Sequence, residues 1–160
     1  MKEDPTCSER GIPARLHQLD RGVVPDFDPS ELFYRRYNAA EVTDQGLADA
    51  AITFRNDGMS VNRSKFSERA DDVFFKVIAP GRHEGYAYLT FKADAVSGFE
   101  WEHPDSKAKH KIKVDHNPHP CMYPHSLIKL LKDGKEVEGV KSRARSLELK
   151  EKFIMHCCVH

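Results

Sequence analysis

Residues 115–126, DHNPHPCMYPHS, place three histidines, three prolines and a cysteine within twelve positions. Histidine is the side chain whose ordinary pKa lies nearest neutrality, so His116 and His125 are candidate general acids or bases, and the prolines would hold such a loop stiff. His116, His119, Cys121 and His125 are also residue types that bind zinc. Pro118, Pro120 and Pro124 exclude a helix that would project them from one face, and the spacing matches no zinc pattern, so no metal is assigned there. The plainer alternative is a Pro-rich connection whose histidines only hydrogen-bond backbone groups.

Two arginine-bearing segments come next: YRR at 34–36 and SVNR at 60–63. Both read as strands, so alternate residues share a face. Arg36 then lies with Leu32 and Tyr34, while Arg35 lies with Phe33 and Tyr37. Ser60 and Asn62 lie on one side of their strand, with Val61 and Arg63 on the other. An arginine leaving a half-buried strand needs an anionic or planar partner, either a ligand phosphate or an acidic side chain of the same domain. A third cluster, His156, Cys157, Cys158 and His160, would complete a zinc site with Cys121 only if two adjacent cysteines, which face opposite ways on a strand, were bent together. Lysines alternate at 107, 109, 111 and 113, a pattern suited to tracking phosphates and better suited to protecting an edge strand.

The elements that must position these residues follow from periodicity. ELFYRRYN, AAITFR, MSVNR, GYAYLTF and KHKIKVD read as strands, with a turn at NDG (56–58) before MSVNR. From Glu68, apolar residues recur at three and four through Ile78, which predicts a helix of about three turns closed by Pro80 and Gly81. ADAVSGF suits a short helical turn. HSLIKLLKDGKEVEG suits a strand followed by a turn at Asp133 and Gly134. VKSRARSLELKEKF is built of good helix formers, and IMHCCV suits a closing strand. Strands dominate, with a central and a C-terminal helix, and this predicts an α+β domain with a strongly bent, mainly antiparallel sheet. Residues 1–30, with four prolines among charges, read as an irregular arm ahead of a single domain at 31–160.

Composition narrows the function classes. Lys plus Arg and Asp plus Glu both total 25, so no global field draws the chain to nucleic acid or an anionic membrane. No stretch is apolar enough to span a membrane or serve as a signal peptide, which predicts a cytoplasmic protein. The four cysteines are too irregular for a secreted disulfide framework, so reduced thiols are expected. No Gly-rich phosphate loop is present, and the cofactor is unknown.

With these residues in view, the chain resembles a group of small, uncharacterised bacterial proteins that carry LYRR, LSVNR and HDPLPDNYAHS motifs. Here they read LFYRRYN, MSVNRSKFS and DHNPHPCMYPHS, within about residues 31–130. The resemblance marks Tyr34, Arg35, Arg36, Ser60, Asn62, Arg63, His116, Pro118, Pro120, His125 and Ser126. It departs at Cys121, Met122 and Pro124, where the group carries polar residues and alanine. The order of an arginine, a serine and a late polar residue also resembles, more distantly, ADP-ribosyltransferase-like folds, although the late glutamate of that scheme has no counterpart.

The expectation is a protein that binds or processes a phosphate-containing ligand: a nucleotide, NAD or an RNA end. Arg36 would hold phosphate, Ser60 would position it, and His116 or His125 would serve as acid or base. Tyr34, Arg35, Asn62 and Arg63 would line the binding site. The alternatives are a non-catalytic module that binds a protein partner and a zinc-stabilised domain.

Overall fold

The computed structural model describes residues 2–43, 46, 47, 51–54 and 58–160. Its frame is an open antiparallel sheet flanked by short helices, an α+β architecture. The strands are β1 (Leu32–Asn38), β4 (Met59–Arg63), β5 (Tyr86–Lys92), β6 (Glu100–Glu102), β7 (Lys109–His116), β8 (His125–Lys132), β9 (Lys135–Val137) and β10 (Cys158–Val159). They lie in the order β10-β5-β1-β4-β8-β7-β6, with β9 also paired to β8. A separate two-stranded ribbon joins β2 (Val42–Thr43) and β3 (Gly46–Leu47). The helices are α1 (Pro5–Glu9), α2 (Ala93–Ser97) and α3 (Arg143–Ile154).

The sheet has two unlike faces, and period-two alternation assigns each residue to one of them. Phe33, Val61, Leu89, Phe91, Ile128 and Leu130 point to the core, where Leu149 and Phe153 of α3 cover them. Phe153 meets the rings of Phe54, Phe91 and Phe99 at 5.6, 5.3 and 5.4 Å. Full burial of such a side chain contributes about 1.5–3 kcal/mol, so Phe153 and Leu149 together hold the helix on the sheet. The opposite face carries Tyr34, Arg36, Ser60, Asn62 and His125, because register pairs Tyr34 with Asn62 and Asn62 with His125.

Gly58, just before β4, has a φ of +89°, and a Cβ there would stand 2.9 Å from the carbonyl oxygen of Ile128. Close approach to β8 and a left-handed backbone both demand glycine. The rest of the turn expected at 56–58 lies outside the described residues.

Three expectations are corrected. Ala51–Phe54 make no strand pairing; Ile52 and Phe54 are buried as irregular chain, and the Ala51 carbonyl accepts from Arg35. The three-turn helix from Glu68 is instead a single 3-10 segment, Ala70–Phe74. Its apolar residues do not share one buried face: Ile78 is 79% exposed, whereas Asp72 is buried, held by two bonds of 2.7 Å from Arg15 and one of 2.7 Å from Ser67. Satisfying that carboxylate shapes the segment more than the apolar spacing does. Finally, Cys7 and Cys121 are not free thiols but a disulfide between residues 114 apart in sequence.

The disulfide places the N-terminal arm. Cys7, Ile12 and Leu16 join Cys121, Met122, Phe75 and Val77 in a second apolar cluster against the polar face of the sheet. Backbone bonds from Gln18 to Pro120 and from Tyr123 to Leu16, at 2.8 and 2.7 Å, align the arm with the His/Pro loop. The arm then crosses to the core face, where Val24 and Asp26 offer their carbonyls to Arg63.

Candidate functional site

Five of the eight candidate residues meet in one small cleft. Tyr34 and Arg36 from β1, Ser60 and Asn62 from β4, and His125 from β8 line a cavity of about 100 Å³. Its far wall is Asp72, Val73, Phe75 and Val77, and Met122 closes one end. Each sheet residue reaches the cavity for the same reason: it occupies the alternate position that faces away from the core.

The His125 ring is fixed by its own loop. Nδ1 lies 2.7 Å from the Asn117 carbonyl oxygen, and a carbonyl only accepts, so Nδ1 carries the proton. Nε2 is therefore left as a lone pair, 3.3 Å from Oγ of Ser60. The loop behind it is stiff: His119 and Met122 exchange backbone bonds of 3.1 and 2.9 Å, and Asn117 N–H donates to the His125 carbonyl at 3.1 Å. Burial lowers the His125 pKa, and the nearby Arg36 charge lowers it further, against the raising effect of the bond to Asn117. The ring is neutral at pH 7 and is a proton acceptor rather than a cation.

Arg36 is the cation that lines the cleft. Its Nη1 donates to the Val73 carbonyl at 3.2 Å, and among the described residues no carboxylate pairs with it. Burial lowers its pKa, partly opposed by the Tyr86 phenol, but a guanidinium stays charged throughout the working range. Desolvation also raises the Tyr34 pKa, so that phenol remains a neutral donor. Asn62 donates to Sδ of Met122 at 3.3 Å.

The other three candidates lie elsewhere, and strand parity is the cause. His116 pairs with Ser126, whose side chain points to the core, so His116 faces away from His125. Both its nitrogens are engaged: Nδ1 accepts from Val24 N–H at 2.9 Å and Nε2 donates to the Tyr123 carbonyl at 2.8 Å. It packs between Phe66 and Tyr123 and ties the arm to the loop. Arg63 is wholly buried in an ion pair with Glu31, at 2.9 and 3.0 Å, and sits over the rings of Phe27 and Phe66. Arg35 donates to the carbonyls of Ala51 and Ser60, at 2.9 and 3.0 Å, and so holds the backbone that carries Ser60.

Asp72 contributes to the cleft without having been singled out from the sequence, and Met122, marked there only as a departure from the resembled motif, also lines it. Asp72 sits in a segment whose apolar spacing suggested a helix, and Met122 follows the disulfide-bonded Cys121 in a loop packed against the arm.

Among the described residues no group of three or more His, Cys, Asp and Glu side chains converges, and Cys121, which the zinc alternative requires, is bonded to Cys7. Burial pushes the Cys157 thiol up to about 12, so it is no thiolate at neutral pH. A wider depression of about 770 Å³, lined by His103, His110, Lys132 and Ser142, lies toward the β7 side. It holds none of the candidate residues, so size alone does not mark the chemistry. Among the described residues no helix is long and apolar enough to cross a membrane.

No family model, no curated protein and no solved structure matched this chain.

Proposed function

We propose that the chain binds and processes a phosphate-containing ligand in this cleft, with Arg36 holding the phosphate and His125 as the acid-base group. The observation that carries this reading is Arg36, a guanidinium drawn into a half-buried cleft with, among the described residues, a single neutral carbonyl as partner. A charge-assisted hydrogen bond to an anion contributes about 1.5–3 kcal/mol, and such a group is left short of it until a ligand arrives. Arg15 and Arg63, by contrast, already have carboxylates.

Size restricts how the ligand sits. Whole small molecules fill pockets of about 300–1,000 Å³, whereas about 100 Å³ suits a phosphoryl group. A second depression of about 210 Å³, lined by Arg35, Arg36, Asn38, Glu41, Ser60 and Tyr86, adjoins the first at Arg36 and Ser60. The phosphate enters the cleft, and the rest of a nucleotide, of NAD or of an RNA end extends over Tyr86.

Thermal unfolding with inorganic phosphate, ATP, NAD, ADP-ribose and short 5′- and 3′-phosphorylated RNAs tests the reading. A ligand at 100 times its Kd stabilises by about 2.7 kcal/mol. A rise with phosphate-bearing ligands that disappears in Arg36→Met is the expected result. Equal shifts in both proteins, or none in either, would dismiss it.

A second reading, a module that binds a protein partner, is favoured by the knot of Arg63, Glu31 and His116, which spends two polar candidates, Arg63 and His116, on internal order. A partner that co-purifies in fixed stoichiometry would support it. As to location, a cytoplasmic protein is one proposal, but a buried disulfide persists more readily in oxidising compartments. Mass mapping of Cys7 and Cys121 after rapid alkylation of cells decides between them.

A further inference from the structure

Most of the polar side chains on the inner strands have a packing role, and Ser60 does not. Its side chain is exposed, its carbonyl anchors Arg35, and among the described residues its hydroxyl has one partner, the unprotonated Nε2 of His125 at 3.3 Å. A nucleophile, a base within hydrogen-bond reach and a third group orienting that base make up the arrangement that activates serine. Here the third group is a backbone carbonyl, that of Asn117, 2.7 Å from Nδ1. It selects the tautomer that can take a proton from Oγ. Both side chains stand on paired strands rather than on free loops, so their separation does not depend on a mobile segment.

We infer that Ser60 is a nucleophile, placed to attack a phosphorus centre whose oxygens rest on Arg36, with Nε2 of His125 receiving its proton. The substrate class rests on the phosphate reading above; the nucleophile rests on the Ser60–His125–Asn117 geometry alone. In the step, Oγ forms a bond to phosphorus and the bond from phosphorus to the leaving oxygen breaks. The proton taken by Nε2 passes to that oxygen. Water then attacks the phosphoserine, gives a proton to Nε2 and releases phosphate, and the proton returns to Oγ. Water is the one co-reactant, and no electrons are exchanged. Arg36 offsets the charge on the equatorial oxygens in both halves.

The test uses the full chain and a small alkyl fluorophosphonate, which reports an activated serine whatever the natural substrate. Oγ attacks phosphorus, fluoride leaves, and the adduct persists for mass mapping. The expected result is one phosphonyl group on Ser60, none in Ser60→Ala, and a rate at least about 100-fold lower in His125→Gln, the usual scale of losing a general base. Thermal unfolding of both variants verifies that they fold. An unlabelled Ser60 in folded wild-type protein, or an undiminished rate in folded His125→Gln, would overturn the inference. Competition separates the two readings: inorganic phosphate should slow capture in wild type and not in Arg36→Met. Capture indifferent to phosphate would keep the nucleophile and remove Arg36 as a phosphate site.

Discussion

Nε2 of His125 faces Oγ of Ser60 across two antiparallel strands, at 3.3 Å, because the register sets His125 opposite Asn62 and thus diagonal to Ser60. Diagonal neighbours on one face of a sheet are within reach of a ring side chain. A shift of one residue between β4 and β8 would turn His125 to the other face and dissolve the pair. Changes that disturb this register should therefore remove site function before they unfold the chain.

Gly58 provides such a change. Gly58→Ala meets the Ile128 carbonyl at 2.9 Å in a backbone conformation with φ of +89°. A loss of about 1–3 kcal/mol is expected from strain and overpacking together. Urea unfolding measures it; an unchanged midpoint would mean that the β4–β8 contact is looser than the structure has it.

Arg36→Met should leave stability without ligand unchanged or slightly raised, because it removes a desolvated charge that has no carboxylate partner among the described residues. Arg63→Met should behave oppositely, since it abandons the buried Glu31 carboxylate, the carbonyls of Val24 and Asp26, and the rings of Phe27 and Phe66. A cost of about 3–5 kcal/mol is expected for that pair. Equal costs in the two variants would contradict the division between a site arginine and a structural one.

Removing the disulfide should loosen the arm. A cross-link between positions 114 apart removes much of the freedom of the unfolded chain. Cys7→Ser is expected to cost about 2–4 kcal/mol. Proteolysis should then begin within residues 8–24, and bonds from the arm to Pro120 and Tyr123 should show faster amide exchange. Protection of Tyr123 at the wild-type level would show that packing of Ile12 and Leu16 is enough to seat the arm.

Acid should destabilise the fold in two stages. Burial lowers the pKa of His83, His110, His116, His119 and His125 below the ordinary value of 6.5. As pH falls below 6.5, the unfolded chain takes up protons that the folded chain refuses, so stability declines until the folded pKa values are passed. The second stage comes from Asp28, Asp105 and Glu136, whose pKa values are lowered by hydrogen bonds to Ser30, Arg145 and Lys113. Their contribution is complete above the ordinary values of 3.8 and 4.5 and is lost below them. Chemical unfolding between pH 8 and pH 3 should show stability flat at the alkaline end and falling through both ranges. Flat stability between pH 7 and pH 5 would mean that the histidines titrate alike in both states.

Much of the polar face is legible in the sequence, because alternation is a property of the strand itself. LFYRRYN separates Arg36 from Arg35, and MSVNR separates Ser60 and Asn62 from Arg63, before any partner strand is known. The 68–78 segment misleads for a physical reason. Apolar spacing there mimics a helix, while a buried carboxylate, Asp72, needs Arg15 from the distant arm. Helical periodicity describes what one segment prefers and is silent about a charge that another segment must neutralise.

The sequence by itself determined the strands of the site, the side on which each residue emerges, the stiffness of the Pro-rich loop and the C-terminal helix. Local backbone geometry and side-chain alternation suffice for these. Only the tertiary structure decided that His125 and not His116 joins Arg36 and Ser60, that Arg63 is used up by Glu31, and that Cys7 reaches Cys121. Those outcomes depend on which face of the sheet is covered and which distant segments meet. Register and long-range closure are collective choices of the whole chain, and no short window of residues contains them.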